Sequence, residues 1–143
     1  MADGAGSKDQ VFISYSSRNR RIAEAIRSHL QSLSVTCWMA PESIMPGEQW
    51  AQAIARVIPE SRLMVLLWTV ESMQSEQVIN ELTLADRSGV MIIPFRVDDI
   101  EPEGTFKYYL YKTLWLDAFD GWKQKLDLLG EPNPNNAAPI GMV

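Results

Sequence analysis

Cysteine and histidine are nearly absent from this chain, which holds one of each, Cys37 and His29, in 143 residues. An internal disulfide is therefore excluded, and Cys37, set in the apolar stretch VTCWM, reads as a buried thiol rather than a nucleophile. His29, near the end of a helix and without a visible partner, reads as structural. Long apolar runs are missing too: the longest, Leu63 to Trp68, falls far short of the roughly 20 residues that cross a bilayer. The opening MADGAGSKDQ has neither the basic nor the apolar region of a secretory signal. No basic stripe exists, and 13 Lys+Arg against 18 Asp+Glu leave a net charge of -5, which argues against direct binding of nucleic acid. Asp98 and Asp99 are read as a turn, since nothing completes a metal shell around them. Together these absences predict a cytoplasmic domain that binds no membrane and no metal.

What is present is an alternation of short apolar strands with amphipathic helices, the pattern of a parallel sheet covered on both faces. QVFISY is the first strand. The helix that follows puts Ile22, Ile26, Leu30 and Leu33 on one face, with Ser17 or Asn19 as its cap. Val35 to Met39 form the second strand, and the loop APESIMPGEQW leads to a helix with the stripe Trp50, Ile54, Val57 and Ile58, stopped by Pro59. RLMVLLWT, apolar on both faces, belongs at the centre of the sheet. Ser75 then caps a helix whose buried stripe is Val78, Leu82 and Ala85 and which Gly89 ends. VMIIPF is the fourth strand, a short irregular helix precedes an edge strand near Leu114 to Leu116, and a last helix starts near Gly121 with Trp122, Leu126 and Leu129 inward. Trp38 and Trp68, both on strands, are read as core, and Trp50 as either core or site.

The fold class is α/β: a flavodoxin-like three-layer fold with a central five-stranded parallel sheet, order 2-1-3-4-5, and helices on both faces. Residues 1–8 read as a disordered tail, 9–130 as the domain, and the proline-rich 131–143 as a linker to a further domain. In such sheets the ligand crevice opens at the carboxyl ends of the first and third strands, which selects the loops Ser14 to Asn19 and Thr69 to Ser75. Glu81 lies roughly 9 Å along the helix after the second loop and flanks its stripe, so it can lean over the crevice. Taken alone, a helical glutamate is a solvated surface charge, Ser75 is a cap, and Arg18, Arg20 and Arg21 are a solvated helix face. Two other uses of the fold are set aside. The first helix opens on SYSSRNRR without Gly-x-Gly-x-x-Gly, and the third strand ends on LLWT where a phosphoacceptor needs an aspartate.

Read in order, VFISYSSRNRRIAEAIRSHL, CWMAPESIMPGEQWAQAI, SMQSEQVINELTLA and VMIIPFRVDDI resemble the boxes of a TIR (Toll/interleukin-1 receptor) domain, from about Asp9 to Leu129. The third contains Ser75, Val78 and Glu81 in the family's Ser-x-x-Val-x-x-Glu pattern. The resemblance is to bacterial NAD-cleaving members, and implies that Glu81 is the catalytic residue of an NAD+ glycohydrolase or ADP-ribosyl cyclase, with NAD+ as substrate and no cofactor. Breaking a glycosidic bond builds positive charge on the ribose, which a carboxylate stabilises. The nicotinamide leaving group is already cationic, so one carboxylate suffices.

The resemblance also implies that Tyr15, Ser16, Ser17, Arg18, Trp50, Ser75 and Gln77 contact substrate. It further implies that the BB loop, with Ile44, Met45, Pro46 and Gly47, is a gate that reorganises when copies of the domain assemble. Many enzymatic relatives have Trp where this chain has Gln77, and Trp50 or Trp38 would then supply base stacking. The implied setting is antiphage defence, with a fused sensor domain after the linker triggering assembly. The alternative use is a signalling adaptor, in which the same surfaces bind other TIR domains without chemistry. Whether ADP-ribose leaves open or cyclised is left undecided by the residues.

Overall fold

The computed structural model describes residues 10–41, 43, 46–111 and 113–130. The expected tail 1–8, the linker 131–143, and Ile44 and Met45 of the BB loop lie outside the described residues.

Five parallel strands form one sheet in the order β2-β1-β3-β4-β5. They are β1 (Gln10–Ser14), β2 (Thr36–Trp38), β3 (Leu63–Trp68), β4 (Met91–Arg96) and β5 (Leu116–Asp117). Among the described residues six α-helices accompany them: α1 (Arg20–Ser32), α2 (Trp50–Val57), α3 (Val70–Met73), α4 (Glu76–Arg87), α5 (Gly104–Leu110) and α6 (Trp122–Lys125). The register of β1 on β3 pairs Val11 with Leu63 and Ser14 with Leu66. Every residue of β3 is buried, as its apolar run predicts for a central strand.

Period-2 alternation sorts the core into two layers. Val11, Ile13, Leu63, Val65 and Leu67 face α1, meeting Ala23, Ile26 and Leu30, with Leu129 closing that side. Phe12 and Met64 face the other way, against Ala53, Ile54 and Val57 of α2 and Ala85 of α4. Leu66 and Trp68 continue that face against Val78 and Leu82 of α4 and Phe106 and Leu110 of α5. Trp38 stacks on Phe12 with ring centroids 5.2 Å apart, so both strand tryptophans are core.

α4 follows its sequence signals closely. The Ser75 hydroxyl accepts from the Val78 N–H, satisfying one of the donors orphaned at a helix start. At the other end Gly89 takes a left-handed φ of 72°. Its N–H bonds to Asp86 O, and the Val90 N–H bonds to Ala85 O. This is the paired closure that glycine at this position permits.

Elsewhere the elements depart from expectation, each time for a local reason. Neither Ser17 nor Asn19 caps α1 by its side chain. Ser16 instead caps a 3-10 turn over Ser17–Asn19, and the Asn19 amide is drawn away to Thr69 and Glu71. Leu33 is 40% exposed, because α1 ends at Ser32 and Ser34 turns the chain with φ 66°. Pro59 opens a 3-10 turn, Ile58–Glu60, that extends α2 rather than stopping it. The expected loop Thr69 to Ser75 contains α3, closed by a capping box between Thr69 and Ser72. β2 and β5 are each shorter or later than read, with Leu114 left 61% exposed before β5 begins. α6 is a single turn that continues as a 3-10 turn, Leu126–Gly130.

Candidate functional site

The loops after β1 and β3 do meet at one edge of the sheet, and the uncharged Asn19 side chain fastens them. The Thr69 hydroxyl donates to Asn19 Oδ1 at 2.7 Å, and Asn19 Nδ2 donates to Glu71 Oε1 at 3.2 Å. The Val70 N–H donates to Asp98 Oδ2 at 2.8 Å, tying the loop after β3 to the loop after β4. Asp98 thus serves a turn, and among the described residues no cluster of His, Cys, Asp and Glu could hold a metal.

Glu81 sits inside this corner rather than beside it. With Val78, Leu82 and Ala85 it belongs to the buried row of α4, and it is only 5% exposed. The reason lies across the sheet. In β1 the alternation that turns Phe12 toward α2 and α4 turns Ser14 the same way, beneath Glu81. Ser14 Oγ donates to Glu81 Oε1 at 2.7 Å. One helical turn before Glu81, Gln77 Nε2 donates to Oε2, also at 2.7 Å. Both oxygens are therefore held by uncharged donors, and no cation among the described residues pairs with them. Burial pushes the Glu81 carboxyl up to about 7, against the opposing pull of the Gln77 and Ser14 hydrogen bonds.

Two hollows meet at this carboxyl. The larger, about 460 Å³, is lined by Tyr15, Ser16, Ser17, Arg20, Ala40, Pro41 and Ser75. The smaller, about 340 Å³, is a groove between α2 and α4 with Ala51, Ile54, Ala55, Asn80 and Leu84 on its walls. Trp50, Gln77 and Glu81 border both. Volumes of this size suit a small organic ligand.

Most of the residues singled out in the sequence therefore share one place: Glu81, Tyr15, Ser16, Ser17, Trp50, Ser75 and Gln77. Arg18 does not; its side chain is exposed, and Arg20 lines the cavity instead. Arg20 ion-pairs with Glu24 at 3.0 Å and donates to the Tyr15 hydroxyl at 3.3 Å. The Tyr15 hydroxyl itself donates to the Ala40 carbonyl, holding the start of the BB loop against the cavity, and burial raises its pKa. Trp50 is 48% exposed at the first position of α2, so it belongs to the mouth of the hollows and not to the core stripe. Pro46 and Gly47 form a turn, with Gly47 at φ 83°. Ser14 was read only as the start of a crevice loop and not as a site residue, although a polar residue at the inward end of Phe12-x-Ser14 was its signal. Cys37 is half-buried rather than buried as read, yet desolvation still pushes its thiol up to about 11, which leaves it unreactive.

Known proteins place this architecture. No curated protein matches the sequence. Among solved structures, the TIR domain of the Toll-related receptor TRR-2 from Hydra magnipapillata is similar. Its TM-score is 0.68 at 18% identity, over 80% of this chain and 87% of that one. The TIR-STING receptor from C. gigas gives 0.62 at 21% identity over 85% of this chain, which spans only 41% of the receptor. The CMP N-glycosidase BcmB from Clostridium botulinum gives 0.62 at 18% identity, over 83% of this chain and 98% of that one. Identities this low speak for the fold alone. The family profile of the TIR domain (TIR_2) matches residues 11–129, from β1 to the turn that carries Leu129. By that match, which spans the sheet and the whole Glu81 corner, the chain belongs to the TIR domain family.

Proposed function

We propose that this TIR domain cleaves the bond between nicotinamide and ribose in NAD+, with Glu81 as the catalytic carboxylate, and that assembly of copies switches it on. The observation that supports the reading best is the position of Glu81, a buried carboxyl without a counter-ion at the junction of two hollows. Buried charges are normally paired, so an unpaired one in a cleft is a candidate for chemistry. The chemistry fits the two hollows. The serines and Arg20 of the larger one suit ribose and diphosphate, and the apolar groove beside Trp50 suits a flat base. When the C1′–N bond breaks, its electron pair neutralises the pyridinium ring and leaves the sugar cationic next to Glu81. Water then attacks C1′ and gives up a proton to Glu81. An internal nucleophile in place of water gives a cyclic product.

With its pKa near 7, Glu81 is only about half ionised at neutral pH in the free protein. A cationic nicotinamide ring beside it draws it toward the charged form, so substrate binding and ionisation support each other. Tyr15 holds Ala40, where the BB loop begins, and Ala40 and Pro41 line the larger hollow; movement of this part of the chain on assembly would open the way for a dinucleotide. On the same reading the domain is the effector of a bacterial antiphage protein, triggered by a fused sensor domain.

A second reading has its own support: both Glu81 oxygens are satisfied within the fold, as in a structural buried carboxyl, and a Toll-related receptor domain shares the fold. On that reading the domain is a signalling adaptor. The two part in one assay, nicotinamide release from NAD+ by the domain clustered on a multivalent scaffold, with CMP run beside it as an alternative N-glycoside. The enzyme reading expects turnover of NAD+ that Glu81→Gln lowers by about 10²–10³-fold. Equal inactivity of clustered wild type and variant would give the domain to the adaptor reading, and release of cytosine alone would change the substrate.

A further inference from the structure

The two hydrogen bonds on Glu81 bear on the reaction as well as on the fold. We propose that Ser14 is a positioning residue for Glu81, with Gln77 as its counterpart on the solvent side, the pair holding the carboxyl plane fixed between the two hollows. This rests on Glu81 acting on the sugar, and it gives a role to Ser14, which the sequence offered only as the end of the first box and the start of a crevice loop.

Geometry sets the roles. Ser14 is fully buried at the end of β1, donates from below to Oε1, and lies too deep to meet a ligand except through Glu81. Gln77 is exposed on α4, borders both hollows and donates to Oε2. A carboxylate held at both oxygens by fixed donors has one orientation, and a reacting sugar that finds it there needs no reorganisation of the site. The second effect is on charge. Hydroxyl and amide N–H groups aimed at the oxygens favour the ionised carboxylate over the acid, and so oppose burial.

Little else near the site can imitate that effect. Among the described side chains lining the two hollows, only Tyr15, Arg20 and Glu81 ionise. Arg20 is engaged with Glu24 and Tyr15, and the Tyr15 hydroxyl is pushed above 10. α2 contributes Trp50, Ala51, Ile54 and Ala55, none of them titratable. Glu71 on α3 is held by Asn19, and Glu60, on the 3-10 turn beside α4, is exposed; neither lines a hollow. Among the described groups of the site, the titration between pH 5 and 9 is therefore that of Glu81.

Ser14→Ala removes the lower donor without opening the site to water, so the sign of its effect is unambiguous. Ser14→Cys keeps the volume with a weaker donor, and Gln77→Met keeps the chain without the amide. The test follows the Glu81 carboxyl carbon by NMR in the folded domain, assigned through Glu81→Gln, and then NAD+ turnover by the clustered domain from pH 5 to 9. We expect the midpoint to rise by about one pH unit in Ser14→Ala and in Gln77→Met, and by less in Ser14→Cys. Turnover by Ser14→Ala should fall about fivefold at pH 7, a loss that shrinks as the pH approaches 9. A midpoint that stays in place, or a loss of turnover equal at every pH, overturns the proposal even if wild type cleaves NAD+. Midpoints that move in a domain without turnover support the hold on Glu81 and overturn the reading of the reaction instead.

Discussion

Two ionisable side chains are buried near the carboxyl edge of the sheet, and the structure treats them in opposite ways. Arg96, at the end of β4, is 8% exposed. Its Nε donates to Asp117 Oδ1 at 2.7 Å and its Nη1 to the Ile100 carbonyl at 3.0 Å. Its guanidinium also lies over the rings of Trp68, Trp115 and Phe119, 4.8 to 5.7 Å from their centroids. Charge, donors and π-faces are all matched, as in a group that serves the fold. Glu81, buried to a similar degree, has two neutral donors and no cation. Compensation thus marks Arg96 as a strut and its lack makes Glu81 the candidate for chemistry, where burial alone would not tell them apart.

The largest effect that would break this contrast is expected at the strut. Arg96→Ala empties a cage of three aromatic rings and strips Asp117 and the Ile100 carbonyl of their donor. It should lower stability in urea by roughly 3–4 kcal/mol. Asp117 is half exposed, so Asp117→Asn should cost far less, under about 1 kcal/mol.

Glu81→Gln should act in the opposite direction. The folded protein keeps a proton on Glu81 up to about pH 7, whereas an unfolded glutamate releases it near 4.5. Stability from this group is therefore complete below about 4.5 and is lost as pH rises through 7. Above that range the variant should be the more stable chain, by as much as ~3 kcal/mol, and below it the two should match. Urea unfolding at pH 4.5 and pH 8 measures both arms. No difference at pH 8 would mean that Glu81 is compensated after all, and the contrast with Arg96 would collapse.

The smallest effect concerns the neutral link between the crevice loops. Asn19→Ala removes one acceptor and one donor at a partly exposed position, and about 1 kcal/mol should go with them. Amide exchange at Val70 and Ser72 should quicken while β3 amides keep their protection. Unchanged exchange would show that the capping box of α3 holds this loop without help.

The fold was legible wherever a local signal was complete. In α4 the cap, the stripe and the closing glycine are all read from neighbouring residues, and β3 announces its central place by an unbroken apolar run. α3 was hidden because four residues are too few to show a period. In the site, the loops and Glu81 could be found from topology and the family's boxes, but the Ser14–Glu81 bond joins positions 67 residues apart and depends on how α4 lies on β1. Gln77 was noticed for the ring it lacks, while its amide turned out to matter more for what it touches. Arg18 and Arg20 differ by half a turn of helix, and only packing decides which one meets the cavity.

The margins of the sheet have a consequence of their own. β2 has three residues and β5 two, while the strands between them have five or six. So short a fringe presents almost no ladder for a neighbouring chain to extend, which guards the domain against fusing into fibrils. Assembly of the proposed kind would have to use helices and loops as its adhesive, and contacts of that sort can be undone.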